Sequence, residues 1–455
     1  GKGVAADWNI SDDGLTYTFK LRNNSHWAMF SGHKAVLGEN YEDTFDITVK
    51  AEDFKFGIER TLSEQTGSAD APLFSAVKSI STPDDFTIVF NLSYADDNFL
   101  YALTNPGAMP CDEEFFNLTN GKYGLDAKYL LCNGPFHVSK WTEKTSVKLA
   151  KNNEYNGESS VSPSSVTFYI NNDDSEVADK MNSVTYDVAF LSSSQFSSIE
   201  NKKDLNSVAV QNVTYSFIFN QNDNNYRNKN MRLAFCRSCD TSSLFDSQSD
   251  ISKADGIVPP SCKIGGEDYR NGNAAELLSY DETLAKKNFN DALLELGSSS
   301  VETTILCTEQ YEPFVKQMVQ KLQKTLGVKF VSTVKVVSES DLEAAVNDGN
   351  YSVAFYPFKA KSSFAGEIIE GFDQNNIFGY ESDVLSQKIR NIKNNSGSLE
   401  GERSAVADAE NYLVSEAVIM PVFYENSYFV TSKKTSGIYF YSSADNVCFI
   451  NAKKS

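Results

Sequence analysis

Asp7-Trp8-Asn9-Ile10-Ser11-Asp12-Asp13-Gly14-Leu15-Thr16-Tyr17-Thr18-Phe19-Lys20-Leu21-Arg22, followed by Trp27, is the stretch on which the reading of this chain turns. Asp12-Asp13-Gly14 is turn chemistry: a carboxylate that can bond nearby amides, then a glycine free to take positive φ. After the turn Leu15, Tyr17, Phe19 and Leu21 alternate with Thr16, Thr18 and Lys20. That period of two predicts a half-buried strand.

Outward from this strand the patterns stay regular. Glu52 and Asp53 open a helix whose apolar residues Phe54, Ile58 and Leu62 recur at helical spacing, with acids placed to suit the helix dipole. Phe86, Ile88, Phe90 and Leu92 form a second alternating strand after Pro83-Asp84-Asp85. Between 300 and 356 the rhythm is α/β. A strand at 303–307 precedes a helix carrying Phe314, Val315, Met318, Val319, Leu322 and Leu326, stopped by Gly327. A strand at 328–337, a helix capped by Ser340 with Glu343, and a strand at 351–356 follow. This order predicts a largely parallel sheet with right-handed crossovers. Ala405, Ala409, Tyr412 and Leu413 mark a last helix, and 428–450 is again β-like.

The quoted stretch closely resembles the W-x-x-S-x-D-G-x-T-Y-T-F-x-L-R segment of the oligopeptide/dipeptide/nickel family of ABC-importer solute-binding proteins (family 5). Further islands follow in the family's order: Lys50-Ala51-Glu52-Asp53-Phe54, Asn133-Gly134-Pro135-Phe136 with Trp141, and Tyr155-Asn156-Gly157. Phe219-Asn220, then Arg232, Ala234 and Asp240, also match, as do Val258-Pro259-Pro260, Leu326-Gly327-Val328 and Tyr351-Ser352-Val353-Ala354. The resemblance implies an α/β, two-lobed periplasmic-binding-protein-like (type II) fold with discontinuous lobes and a hinge. On that reading 1–105 is an extra β-rich subdomain of lobe I, 106–235 lobe I, 236–425 lobe II, and 426–455 a return to lobe I. Crossings between lobes are expected near 235–262 and 420–430. Two departures stand out: Lys50 replaces the usual Thr N-cap, and 29–49 is a longer, more acidic insertion. The family also carries several tens of residues ahead of the quoted strand, which implies that the start of lobe I is missing here, by truncation or processing.

At 455 residues with 41% hydrophobic and 12% aromatic content, the chain exceeds a single core and should form at least two. Its 31 Phe and 22 Tyr serve a large core or the walls of a cleft. A net charge of −20 argues against nucleic acid as a partner, and no apolar run approaches the roughly 18 residues that span a bilayer. No nucleophile elbow, HExxH motif or P-loop is present, so an enzyme is not expected. The three histidines, His26, His33 and His137, make a poor nickel site; His26 and His33 read as solvated, and neither metal nor cofactor is expected. Of the seven cysteines, Cys236 and Cys239 share a helix face in a structural role, while Cys111 and Cys132, each bordering a turn, are expected to form a disulfide.

In open α/β sheets ligands bind beyond the carboxyl ends of strands, which points to Tyr356 and the loop after it. Peptide-binding members of the family hold the ligand's α-ammonium with an aspartate there. Here the loop reads Phe358-Lys359-Ala360-Lys361-Ser362-Ser363-Phe364-Ala365-Gly366, with no acid. Lys359 and Lys361 either meet a ligand carboxylate or are solvated charges. The ligand's amine is then held by a carboxylate elsewhere, or the ligand has no free N-terminus. Asn220 offers donor and acceptor to a ligand or caps the run 222–228, Arg232 reads as a structural ion-pair partner, and Asn133 and Phe136 shape the cleft wall. The resemblance implies an extracytoplasmic, monomeric binding component, lipid-anchored or periplasmic, that hands a peptide-like solute to an ABC permease. A secreted hydrolase on peptides or glycans, and a surface sensor or adhesin, are the alternatives.

Overall fold

The computed structural model describes every residue except 1–2, 69, 97–98, 158, 171–173, 242–244, 246–249, 361–362, 374–375, 396–397 and 442–445. The chain forms two compact units: Gly1–Asp173 with Lys434–Tyr439 and Cys448–Ser455, and Asp174–Lys433 with Phe440–Val447. Residues 1–105 and 106–173 fall in one unit, and 174–235 in the other. Residues 106–173 stay with the first unit because their backbone is tied to it. Cys111 N donates to Asp53 O at 2.9 Å, and Ala28 N to Cys132 O at 2.7 Å.

In the first unit the quoted stretch is a hairpin of β1 (Ala5–Ile10) and β2 (Thr16–Leu21), turning at Gly14 with φ of 68°. Helix α1 (Ala51–Leu62) follows, then strands β3 (Val77–Asp84) and β4 (Thr87–Leu92), completing an antiparallel sheet in the order β1-β2-β4-β3. Tyr17 and Phe19 bury against Ile88, Phe90 and Phe99, with Ile58 of α1 in the same core. Lys50 is the N-cap of α1, and its amide donates to Asp53 Oδ2 at 2.8 Å, so the acid three residues in supplies the half of a capping box that binds the N-cap amide. The acidic insertion is not a solvated loop. Tyr41, Phe45 and Val49 pack with Trp27 and with Phe115 of α2 (Glu113–Leu118). A three-stranded sheet of β5 (Phe136–Thr142), β6 (Ser146–Lys151) and β7 (Ser165–Tyr169) completes this unit.

Gly57 marks where α1 meets the 106–111 loop: a Cβ there would stand 2.3 Å from the Met109 carbonyl oxygen. Thr61 Oγ1 fixes the same approach by donating to Gly107 O at 2.8 Å. Gly57→Ala should therefore destabilise by about 1–2 kcal/mol, because overpacking against backbone outweighs alanine's better helix propensity. Urea unfolding followed by tryptophan fluorescence measures this, and an unchanged or raised midpoint would show that the loop gives way.

The second unit holds two sheets. β8 (Val188–Ser192) and β9 (Leu205–Val210) flank a late strand in a three-stranded antiparallel sheet. β10 (Val213–Phe219), α3 (Lys229–Ser238), β11 (Ile251–Lys253) and α4 (Glu282–Leu296) lead into the α/β run. That run is β12 (Val301–Thr308), α5 (Glu312–Leu326), β13 (Phe330–Val337), α6 (Glu339–Asn347) and β14 (Val353–Lys359). Gly327 ends α5 at φ of 78°, as its position suggested, but Ser338 caps α6, accepting from Asp341 N, in place of the expected Ser340. Helices α7 (Asp383–Asn394) and α8 (Leu399–Ser415) precede β15 (Ile419–Glu425) and β16 (Ser427–Ser432), the late strand between β8 and β9.

The six-stranded sheet runs β11-β15-β10-β14-β12-β13. Only the β12–β13 and β12–β14 pairings are parallel; β10 lies antiparallel to both β14 and β15. The expectation of a largely parallel sheet therefore holds for one half. The parallel half is what βαβ crossovers build, and β10 and β15 arrive by other routes. The chain passes between the two sheets of this unit at 211–212 and at 426. Phenylalanines 217, 219, 355 and 423 and Met318 fill one face of the large sheet; Ile218, Val258, Ile369, Phe372, Ile389 and Val406 fill the other.

Candidate binding edge of the second unit

The carboxyl ends of β12, β14 and β15 and the start of β10 lie along one edge of the six-stranded sheet, since β10 is antiparallel to its two neighbours. This edge gathers Thr308 and Tyr311, Lys359 and Ala360, Glu425 and Asn426, and Gln211 and Asn212. The polar groups at the crossings bind one another. Gln211 Nε2 donates to Asn426 Oδ1 at 2.7 Å and Ser252 Oγ at 3.0 Å, and Ser252 Oγ donates to Asn426 Oδ1 at 3.0 Å. Asn212 O accepts from Ala360 N at 3.1 Å and Gln211 O from Ser261 N at 3.0 Å, which ties the loop after β14 and the 261 segment to the same crossing.

On one side of the edge stands an aromatic recess. The Tyr215 ring lies 4.4 Å from Tyr311, 5.0 Å from Phe423 and 5.5 Å from Phe355. Tyr311 is 7% exposed, and its hydroxyl donates to Glu425 Oε1 at 2.9 Å while accepting from Gln310 Nε2 at 3.2 Å. Tyr215 and Glu425 are partly exposed. Burial, reinforced by the Glu425 charge, pushes both phenols well above the usual tyrosine range, so they stay protonated donors.

On the other side Tyr356 and Phe358 alternate down β14. Phe358 stacks on Phe372 at 5.7 Å and lies edge-on to Tyr356 at 5.6 Å. Both are half-buried, and burial raises the Tyr356 phenol. Lys359 is exposed at the end of β14, and Lys361 lies outside the described residues.

The structure brings Tyr356, Phe358 and Lys359 together and sets Asn220 apart. Asn220 follows the far end of β10, beside Ser352 instead of Lys359. Its amide nitrogen donates to Gly349 O at 2.9 Å and Tyr351 O at 2.8 Å, and its oxygen accepts from Asn222 N at 3.0 Å. That is the capping alternative, and it leaves the side chain 5% exposed. Arg232 is structural, though through carbonyls: its guanidinium donates to Tyr226 O, Arg227 O, Glu416 O and Ala417 O. Sequence reading missed Tyr215, Tyr311 and Glu425. The strand-end rule that singled out the loop after β14 would have found Tyr311 and Glu425 had it been applied to β12 and β15 too.

In the first unit, Asn133-Gly134-Pro135 borders an apolar recess of about 980 Å³ with Phe19, Phe54 and Phe90. The half-buried Phe136 opens β5 opposite Lys151. Two expectations there are corrected. Cys111 and Cys132 are both free thiols: Cys111 Sγ accepts from Arg60 Nη1 at 3.6 Å, and burial raises both thiols. His33 is fully buried instead of solvated, its ring 4.3 Å from Phe30 and its Nε2 3.2 Å from Leu130 O, and desolvation lowers it to about 4. Phe30 lies three residues away in the chain, but the other wall of the His33 pocket, Phe115, comes from a distant segment that the local sequence does not announce.

Residues 2–378 match the family model described as bacterial extracellular solute-binding proteins, family 5. The dipeptide-binding protein DppE of Bacillus subtilis (strain 168) is 23% identical over 458 residues, covering 96% of this chain and 80% of that protein. Among solved structures, the Bacillus anthracis oligopeptide ABC transporter substrate-binding domain superposes with a TM-score of 0.77 at 19% identity, covering 100% of this chain and 90% of that one. Listeria monocytogenes OppA bound to peptide gives 0.76 at 21%, with the same coverage. This likeness carries the two-lobed periplasmic-binding-protein-like fold, and with the match to the family model it places the chain among the family 5 bacterial extracellular solute-binding proteins.

Proposed function

We propose that the chain is the substrate-binding component of an ABC importer and captures a peptide or peptide-like solute at the edge formed by β10, β12, β14 and β15. The observation that carries this reading is the composition of that edge in a family 5 chain. Tyr215, Tyr311, Tyr356 and Phe358 offer aromatic walls at the strand ends, and the same edge carries the polar groups Gln211, Asn212 and Thr308 beside them. Function on this reading is binding without bond chemistry, followed by presentation to a membrane permease. Lipid anchoring at the cell surface and action as a monomer belong to the same proposal.

Incubation with a defined pool of tri- to hexapeptides, removal of free peptide and mass spectrometry of what remains tests it. Retained, unaltered peptides and a raised Tm are expected, because a ligand that binds only the folded state stabilises it. Appearance of cleavage products in place of intact peptides would favour a hydrolase. Retention of nothing from the pool would remove the peptide reading.

A further inference from the structure

We propose that the turn end of the β5–β6–β7 sheet is a membrane-docking surface, made for a bilayer that carries anionic lipid. Not one side chain in the three strands is fully buried. Their register nonetheless sorts them by polarity. Val138, Trp141, Val147, Leu149, Val166 and Phe168 share one face, and Lys140, Lys148, Thr167 and Tyr169 share the other. Beside the β5–β6 turn the apolar groups of both faces come together. Trp141, Val147 and Phe168 form one row across the strands, and Thr142, Ser146 and Tyr169 form the next. Ile170 follows, its amide donating to Thr145 O at 2.9 Å. Trp141, Phe168, Tyr169 and Ile170 are all 44–57% exposed. Large apolar groups gathered in water in this way mark a contact surface.

Charge selects the partner. The chain carries −20 overall, yet the stretch from His137 to Lys151 holds four lysines and a single acid, Glu143. Lys140, Lys144 and Lys148 flank the turn, and all three are exposed. The turn that presents them is tight: Thr145 N donates to Thr142 O at 3.0 Å, and Lys144 takes φ of 56°. Trp and Tyr rings sit well at headgroup level, and lysines gain from the negative potential of an anionic leaflet. An acidic protein face would satisfy the lysines alone. A fluid headgroup layer also takes up the Trp, Tyr and Ile, and it needs no matching shape. This surface is independent of the ligand, so it stands apart from the peptide reading above.

The test mixes the whole chain with vesicles of phosphatidylcholine and phosphatidylglycerol, or of phosphatidylcholine alone, and measures the bound fraction by sedimentation. Wild type should bind the anionic vesicles and not the neutral ones, and added salt should weaken that binding. Lys140→Gln, Lys144→Gln and Lys148→Gln together should lower partitioning roughly a hundred-fold. Brominated phosphatidylcholine in the anionic vesicles should quench tryptophan fluorescence in wild type. Trp141→Phe keeps an aromatic ring and should still bind, but with that quenching lost. Far-UV circular dichroism and the Tm of both variants should match wild type, since the altered side chains are exposed. Equal binding to neutral vesicles, or full binding by the lysine variant, overturns the docking surface. Quenching that persists in Trp141→Phe also overturns it, because the contact then lies elsewhere on the chain. Failure of wild type to bind anionic vesicles overturns it too, and leaves the basic turn to an acidic protein partner.

Discussion

Glu410→Ala should lower the unfolding free energy of the second unit by about 3–5 kcal/mol, the range for removing one member of a buried, hydrogen-bonded ion pair. Glu410, on α8, is 1% exposed. It accepts from the Ile257 amide at 2.7 Å, the Val258 amide at 2.9 Å, the Tyr269 hydroxyl at 3.0 Å and the Arg270 guanidinium through both terminal nitrogens. Alanine would leave a buried guanidinium, two amides and a phenol without their acceptor. Glu410→Gln keeps the shape and loses the charge, so it should cost less. Gly256 fits this cluster because a Cβ there would meet Arg270 and Glu410 within 2.6 Å. Equilibrium urea unfolding followed by circular dichroism reads the effect. A loss under about 1 kcal/mol in Glu410→Ala would mean that water replaces the carboxylate and the cluster is not a keystone.

The second large effect is on pH dependence. Burial, aided by the charge of Asp112 and opposed by the Lys50 amide bond, raises the Asp53 carboxyl from 3.8 to about 7. The folded state therefore keeps a proton that the unfolded chain gives up between pH 4 and 7. Stability from this group is complete below pH 4 and is lost as pH rises towards 7, by about 4 kcal/mol in all at 1.36 kcal/mol per pH unit. His33 acts with the opposite sign. Its imidazole falls from 6.5 to about 4, so its contribution is present above pH 6.5 and is lost on acidification towards 4. Urea midpoints of the first unit, read by its tryptophans between pH 4 and 8, should separate the two. Asp53→Asn should turn a decline across pH 4 to 7.5 towards a rise, because the His33 contribution of opposite sign, whose unfolded-state midpoint is 6.5, then loses its opponent. A decline that persists in Asp53→Asn would assign it to another group.

The sequence was informative wherever a local pattern recorded the environment. The alternation of Tyr17 and Phe19 required a half-buried strand, and Asp12-Asp13-Gly14 required a turn, whatever lay beyond. The α/β run from 301 to 359 was legible because βαβ units are local and their helices are amphipathic. The short islands around Trp8, Pro135 and Asn220 named the family because turn and cap chemistry survives at fixed spacing.

What stayed hidden depends on residues far apart in the chain. The polarity of the β10 pairings is set by strands 353–359 and 419–425, which no window around 213–219 contains. The burial of His33 and Asp53 comes from Phe115, Leu130 and the 109–112 segment folding over them. Glu425 illustrates both sides. The sequence shows an ordinary glutamate after a β-like run, and the absence of an acid after Tyr356. Only the tertiary structure sets Glu425 beside Tyr311 and Tyr215 at the carboxyl edge of the sheet, because a site is a conjunction of strand ends and strand order is decided by packing.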